Sequence, residues 1–237
     1  GFGLGTILMP VFAVFFPVDI AIALTGVVHF LNNLFKLSFV GLRADKQVVL
    51  RFGIPAFIAA LAGAWWLLQI SDLQPIYQYT FRNNVYSITP VKLIISVLLM
   101  FFALIEVIPY FKNLQFEKDK LILGGLLSGF FGGLSGHQGA LRSAFLIKSN
   151  LSKEAFIATG IVIACMVDFS RLGVYMTGFS KSGLHENLTL MIAATLSAFM
   201  GAFLGSRLLK KTTLKSVQSI VTMMLFILSI VLGLGIV

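Results

Sequence analysis

The stretch GGLSGHQGALRS, Gly132 to Ser143, sets a serine, a histidine, a glutamine and an arginine among four glycines. Ser135, His137 and Gln138 can each donate to an anionic oxygen. A helix that resumes at Gly139 would leave its first backbone N–H groups free and aimed at the break. Those donors, together with the positive end of the helix dipole, favour an anion. Arg142 follows three positions later, about 5 Å along such a helix, and its planar fork suits oxyanions. The competing reading is structural. Arg142 would snorkel toward Lys148, roughly 9 Å away, and His137, Gln138 and Ser135 would cap the interrupted helix ends.

Other ionisable residues sit inside apolar runs, where an ion is a functional hypothesis by default. Lys36 closes HFLNNLFK, and Arg171 belongs to CMVDFSR. Both could supply positive charge to a substrate, with snorkelling as the rival. Asp168 precedes Arg171 by three, which places the two on one helix face. They form either a structural ion pair or a proton-coupling site, a role His137 could share. His29, Asn32 and Asn33 make a polar stripe on the matching helix, explained by interhelical hydrogen bonds or by cavity lining, with Asn33 a candidate substrate contact. Thr25 and Thr159 each precede a glycine and read mainly as close-packing positions. The three histidines, His29, His137 and His185, fall in unrelated contexts with no HExxH spacing. A membrane-embedded metal enzyme is therefore a distant alternative, and neither a metal nor another cofactor is expected. Cys165 is the single cysteine, so no disulfide framework exists.

These residues are embedded in a chain built for lipid. Hydrophobic side chains make up 58% of the 237 residues and charged ones 11%, against about a quarter charged in soluble domains. The net charge of +9 comes mostly from short loops between apolar runs, a topology signal rather than a nucleic-acid footprint. A spanning helix needs about 20 mostly apolar residues. Candidates are Val18–Leu42, Val48–Ile70, Val91–Phe111, Glu154–Thr177, Asn187–Leu209 and Leu214–Val237. Two further apolar stretches, Gly1–Phe16 and Lys120–Ile147, contain breaks. Ser71 to Pro90 reads as one polar-aromatic loop whose tyrosines suit a membrane surface.

Loop charges decide how Lys120–Ile147 crosses. If it spans fully, basic residues divide almost evenly between the two faces. If it enters, breaks at the glycines and returns, one face collects Arg43, Lys46, Arg51, Lys112, Lys118, Lys120, Lys148, Lys153, Arg207, Lys210, Lys211 and Lys215. The other face keeps Arg82, Lys92 and Lys181. The positive-inside rule prefers this re-entrant arrangement.

The second half also echoes the first. A shift of 134 positions superposes Gly5 on Gly139, Ala21 on Ala155, Thr25 on Thr159, Gly26 on Gly160, Val28 on Val162, Phe35 on Phe169 and Val40 on Val174. FIAALAGAWWLL is echoed by FMGAFLGSRLL. With a re-entrant centre, the two halves run oppositely through the bilayer. The expected fold is an all-α polytopic membrane protein of two inverted structural repeats, residues 1–113 and 114–237. Each repeat has a broken re-entrant helix followed by three transmembrane helices, the first half-helix missing before Gly1. Inverted repeats mark many secondary transporters, whose sites lie near the midplane at broken helices. The mate of the central break lies at Gly5–Thr6, and two converging helix N-termini point to a small anionic substrate. An anion channel is the alternative.

GFGLGTILMPVF, the pair Thr25–Gly26, GGLSGHQGALRSAFLI with SKEAFIATG, and GAFLGSRLL resemble the TauE/SafE family of sulfite exporters and organosulfonate permeases. The resemblance covers nearly the whole chain and recurs in both halves. It implies an integral membrane transporter, in the inner membrane of a bacterial cell, that moves sulfite, organosulfonates or related organic anions. The expected substrate contacts are Gly5, Thr6, Asn33, Lys36, Ser135, His137, Gln138, Gly139, Arg142 and Arg171. Asp168 and His137 are candidates for a coupling proton or other ion. The expected partners are the anion and the lipid bilayer, with no nucleic acid; sequence leaves the oligomeric state open.

Overall fold

The computed structural model describes residues 4–40, 43–108, 115–178, 188–208 and 214–237. Nine helices are formed by these residues: α1 Leu4–Ala13, α2 Val18–Val40, α3 Lys46–Ser71, α4 Pro90–Val107, α5 Leu121–Ser135, α6 Gly139–Leu146, α7 Lys153–Gly178, α8 Leu188–Leu208 and α9 Leu214–Gly233. Four of them, α2, α3, α4 and α7, are long and apolar enough to cross a membrane. Local chemistry sets the ends. Asp45 caps α3 by accepting from the Val48 N–H at 2.8 Å, and its own N–H donates to Thr159 Oγ1 at 2.8 Å. Thr89 caps α4 with Pro90 in the first turn, where a missing N–H costs nothing. Residues Val49–Gly53 of α3 widen into a π-turn.

One expectation needs correction. The Ser71–Pro90 segment is not an irregular loop: Tyr77–Phe81 (β1) and Asn84–Ile88 (β2) pair antiparallel, a small sheet within the otherwise helical fold. The turn residues Arg82 and Asn83 both have positive φ, 47° and 66°. That is the type I′ geometry whose twist matches paired strands. Tyr77, Tyr79 and Phe81 alternate onto one face with Tyr86 opposite Tyr79, so the aromatic residues mark a strand period. Tyr79 donates to the Leu234 carbonyl at 2.7 Å and Lys92 Nζ to that of Ser87 at 3.1 Å, tying the hairpin to the ends of α9 and α4.

The central segment doubles back. The α5 helix stops at Gly136, whose φ of 80° is a left-handed cap that glycine adopts without strain. After a short break α6 returns along α5. The Phe116 N–H donates to the Ala144 carbonyl at 3.2 Å, the Phe116 and Phe145 rings stack at 4.1 Å, and Lys148 pairs with Glu117 at 2.6 Å. The Lys148 ammonium holds the exposed Glu117 carboxyl below its ordinary pKa. Start and finish of the segment therefore lie at the same end of the molecule.

Glycines set how closely α5 is held. On one stripe a Cβ at Gly125, Gly129 or Gly133 would overlap the carbonyl oxygens of Phe52, Ala56 and Ala60 on α3, and Gly63 of α3 meets the Phe130 carbonyl in return. Contacts that rise together along both helices make α3 and α5 parallel. The adjacent stripe receives α6: Gly124 lies under the Phe145 ring, Ser128 Oγ donates to the Gln138 carbonyl at 3.1 Å, and Gly132 meets the Gln138 side chain.

Two apolar cores result. One gathers α1, α2, α4, α9 and the second half of α3 around residues such as Leu24, Leu67, Leu99 and Leu225. The other joins the first half of α3 to α5, α6 and α7 through Phe52, Ala56, Phe145 and Val167. Between them α2 and α7 pack antiparallel, with Gly26 near Arg171 and His29 near Asp168, while Asp45, just beyond α2, reaches Thr159. Adding 134 to Ile54–Ser71 gives 188–205, which falls within α8, so the echo extends to element positions. Among the described residues the hairpin before α4 has no counterpart before α9.

Gly129→Ala should push α5 off α3 and lower the apparent midpoint of thermal unfolding in detergent. The overpacking is worth about 1–3 kcal/mol. Gly201→Ala on α8, where a Cβ meets nothing within 4 Å, should leave the midpoint unchanged or raise it. Equal effects would remove the α3 contact as the constraint.

Candidate functional site

The break between α5 and α6 is sealed: Ser135 is 1%, His137 8% and Gln138 2% exposed. Part of its polar chemistry is local. Ser135 Oγ donates to the Phe131 carbonyl at 3.0 Å, and His137 Nδ1 lies 3.0 Å from the Ser135 carbonyl. A carbonyl only accepts, so Nδ1 carries the proton. The His137 ring stacks on Phe102 of α4, 5.8 Å between centroids. These contacts fulfil the capping role, yet they leave two buried atoms unbonded, His137 Nε2 and Gln138 Nε2. No side chain caps the start of α6 at Gly139.

Arg142 turns toward the break. Its Nη1 donates to Gln138 Oε1 at 3.0 Å, one helical turn back, in the direction helical side chains lean. It lies within electrostatic reach of Asp168 and Cys165. Snorkelling toward Lys148 is not the conformation observed.

Arg171 comes to the same region from α7. Arg171 and Asp168 are both completely buried. The guanidinium donates to Asp168 Oδ1 from Nε at 3.0 Å and from Nη2 at 2.8 Å. Asp168 Oδ2 faces His29 Nδ1 of α2 at 2.6 Å and Asn33 Nδ2 at 3.4 Å. The third guanidinium nitrogen, Nη1, makes no well-aligned hydrogen bond, with the Tyr175 hydroxyl interacting with the same guanidinium. It abuts the break: a Cβ at Gly136 would stand 2.9 Å from it, and one at Gly26 3.2 Å from Arg171 Cζ. Tyr175 extends the α7 face and donates to the Gly133 carbonyl on α5.

The structure thus gathers Ser135, His137, Gln138, Gly139 and Arg142 at the break, with Arg171, Asp168 and Asn33 beside them. Lys36 lies one turn beyond Asn33, half-buried, with no hydrogen bond or ion pair among the described residues. The backbone of Gly5 and Thr6 forms the first turn of α1; their side-chain surroundings and His185 lie outside the described part. Thr159 is occupied by Asp45, whereas Thr25 Oγ1 is buried without a partner. Sequence reasoning left His29, Gly136 and Tyr175 out of the site. Tyr175 was findable, since 168, 171 and 175 share a helix face. His29 meets Asp168 across 139 positions, and no local pattern announces that.

Chemically, the cluster presents unpaired N–H donors and two guanidinium groups against one carboxylate. That balance suits a small anion. Among the described residues no group of three or more His, Cys, Asp or Glu could hold a metal ion.

The family model for the sulfite exporter TauE/SafE matches residues 1–232, and the chain belongs to that family, whose members are sulfite/anion exporter-type membrane transporters. No curated protein and no solved structure matches the chain.

Asp168→Asn leaves the buried Arg171 guanidinium without its counter-ion and should cost about 3–5 kcal/mol. Arg171→Gln should cost a similar amount, and the double variant less than the sum. Unfolding of the four proteins in one detergent measures this, and simple additivity would mean the pair is not coupled.

Proposed function

We propose that this protein is a secondary transporter for a small anion, most simply sulfite, an organosulfonate or a related organic anion, in the inner membrane of a bacterial cell. Its site is the break between α5 and α6. The first N–H groups of α6, Gln138 Nε2 and Arg171 Nη1 are donors for the anion's oxygens, and Arg142 adds charge from one turn away. The observation that carries this reading is a largely buried cluster in which a guanidinium nitrogen and an amide nitrogen make no well-aligned hydrogen bond. An unsatisfied buried donor costs about 1–3 kcal/mol, which an anionic oxygen in that position offsets.

The mechanism is alternating access between two inverted repeats. Antiparallel α2 and α7, the 134-position echo and the doubled-back α5–α6 segment support it. So does the charge pattern. Arg43, Lys46, Arg51, Lys118, Lys120, Lys148 and Lys153 flank the end where α3, α5 and α7 begin, whereas Arg82 and Lys92 lie at the far end of α3 and the start of α4. Gly5 and Thr6 at the start of α1 would serve the same role as Gly139 from the opposite leaflet. Lys36 is a third positive group on the substrate's path, and Asn33 and Ser135 are polar contacts. Asp168 lies in the buried network through which a proton would be coupled, and His137 is the alternative group at the break. Burial of Ser135, His137, Gln138, Asp168 and Arg171, with Gly139 and Arg142 only partly exposed, favours a carrier over an open channel.

Arg142→Gln should lower anion flux in proteoliposomes at least tenfold while the protein remains folded by circular dichroism. Undiminished flux would take Arg142 out of the site. For topology, cysteines placed at Asp119 and Asn150 should react with an impermeant thiol reagent from one side of the membrane, and a cysteine at Arg82 from the other. Labelling of 119 and 150 from opposite sides would overturn the re-entrant arrangement.

A further inference from the structure

We propose that His29 is the proton site that couples to anion movement, with Asp168 as its fixed counter-ion, so that proton and anion cross in the same direction. The inference rests on the anion-transport reading above and assigns its coupling to a residue outside the break.

The geometry selects His29 over His137. An ionised carboxylate only accepts, so the 2.6 Å contact with Asp168 Oδ2 requires the proton on His29 Nδ1. Nε2 then bears the lone pair of the neutral ring. A proton arriving from water adds to Nε2 and later leaves from Nε2, while Nδ1–H stays on Asp168; no other bond changes. Imidazole is the side chain whose charge changes near neutral pH. The ring is accessible, its side chain 17% exposed, while Asp168 is sealed. His137 is worse placed. Its Nδ1 is committed to the Ser135 carbonyl, Phe102 covers its ring, and the Arg171 charge acts on it.

The charged surroundings of His29 set the sign. From α7 it faces Asp168, with Arg171 on that carboxylate's other oxygen and Cys165 and Tyr175 on the same helix. From α6, Arg142 acts through Asp168. Its own helix supplies the Asn33 amide, whose Nδ2 lies 3.4 Å from the Nε2 lone pair and must turn to Asp168 Oδ2 when Nε2 takes a proton, and, further along, Lys36. α1 carries no ionisable residue, α3 none between Ile54 and Ser71, and α8 only Arg207; α4 carries Lys92 and Glu106, the latter bonded to Thr222 of α9. With His29 neutral, Arg171 and Asp168 cancel. With His29 protonated, the trio carries one net positive charge beside the break. The two binding events therefore favour each other. Linkage makes the effect reciprocal, on the order of tenfold in affinity for a single nearby charge.

The test uses the full chain in proteoliposomes containing a trapped pH dye. Ethanesulfonate is the probe because it is a strong-acid anion with no proton of its own to deliver; sulfite exchange at equal pH on both sides is run in parallel. Inward ethanesulfonate movement through the wild type should acidify the lumen, and its rate should rise about tenfold from pH 8 to pH 5.5. His29→Gln keeps a donor to Asp168, and its rate relative to its own pH 8 value should be flat. Wild-type ethanesulfonate entry with no change in lumenal pH, or with alkalinisation, overturns the proposal without reference to any variant. So does a His29→Gln protein that retains the wild-type pH dependence. If neither anion exchanges at any pH, the transport reading itself falls, and the coupling proposal with it.

Discussion

The height at which α5 stops is set by backbone meeting backbone. Gly125, Gly129 and Gly133 bring α5 onto the carbonyl oxygens of α3 so closely that any side chain would separate the helices. Without a hydrophobic driving force between helices in lipid, such small-residue contact is a main source of association. It also fixes register, because glycines one turn apart meet carbonyls one turn apart. The break at Gly136 therefore lies beside the later half of α3, about two-thirds of the way along its length at 1.5 Å per residue. The neighbouring stripe, Gly124, Ser128 and Gly132, determines how α6 returns. Together the stripes place the uncapped start of α6 at one depth, and everything polar at the site depends on that placement.

At that depth the molecule buries an ion pair. Desolvating two charges costs more than their attraction returns unless further hydrogen bonds complete the shell. Asp168 has that completion: two bonds from Arg171, one from His29 and a longer one from Asn33. Arg171 is less well completed: its Nη1 lies against Gly136 without a well-aligned hydrogen bond, with the Tyr175 hydroxyl beside the guanidinium. The Asp168–Arg171 pair is thus the ion pair that its i,i+3 spacing announces, and it turns one guanidinium nitrogen toward the break.

Much of this was legible in the chain. The break announced itself because four glycines are costly inside a helix, and the loop charges favoured a segment that turns back. Arg142 stood out because an arginine in an apolar run needs a reason. Two things stayed hidden. Glycine spacing shows that two stripes exist on α5, but not which faces α3 and which α6, since both contain only small residues. His29 was grouped with Asn32 and Asn33 because a one-helix pattern cannot reveal that Asp168 lies 139 positions away in sequence and 2.6 Å away in space. The hairpin was missed for a different reason. Its tyrosines were assigned to the membrane surface, and that reading masked their alternation.

The two apolar cores differ in how they could change shape. Between α3 and α5 the contact is backbone on backbone, and sliding by less than a full turn would drive carbonyls into Cα atoms. Interiors packed at that density switch between discrete arrangements rather than deforming smoothly. Between α2 and α7 the contact near the site runs instead through side-chain tips: an imidazole, an amide, a carboxylate and a guanidinium, with glycine at position 26. Polar tips can exchange partners as the helices rotate, provided each finds another partner. The anion and the proton proposed above would be two such partners, and both would act on the same carboxylate. The seam between α2 and α7 is therefore where such binding would have the most leverage over the packing of the two cores, because the backbone contact of α3 with α5 leaves little room to respond.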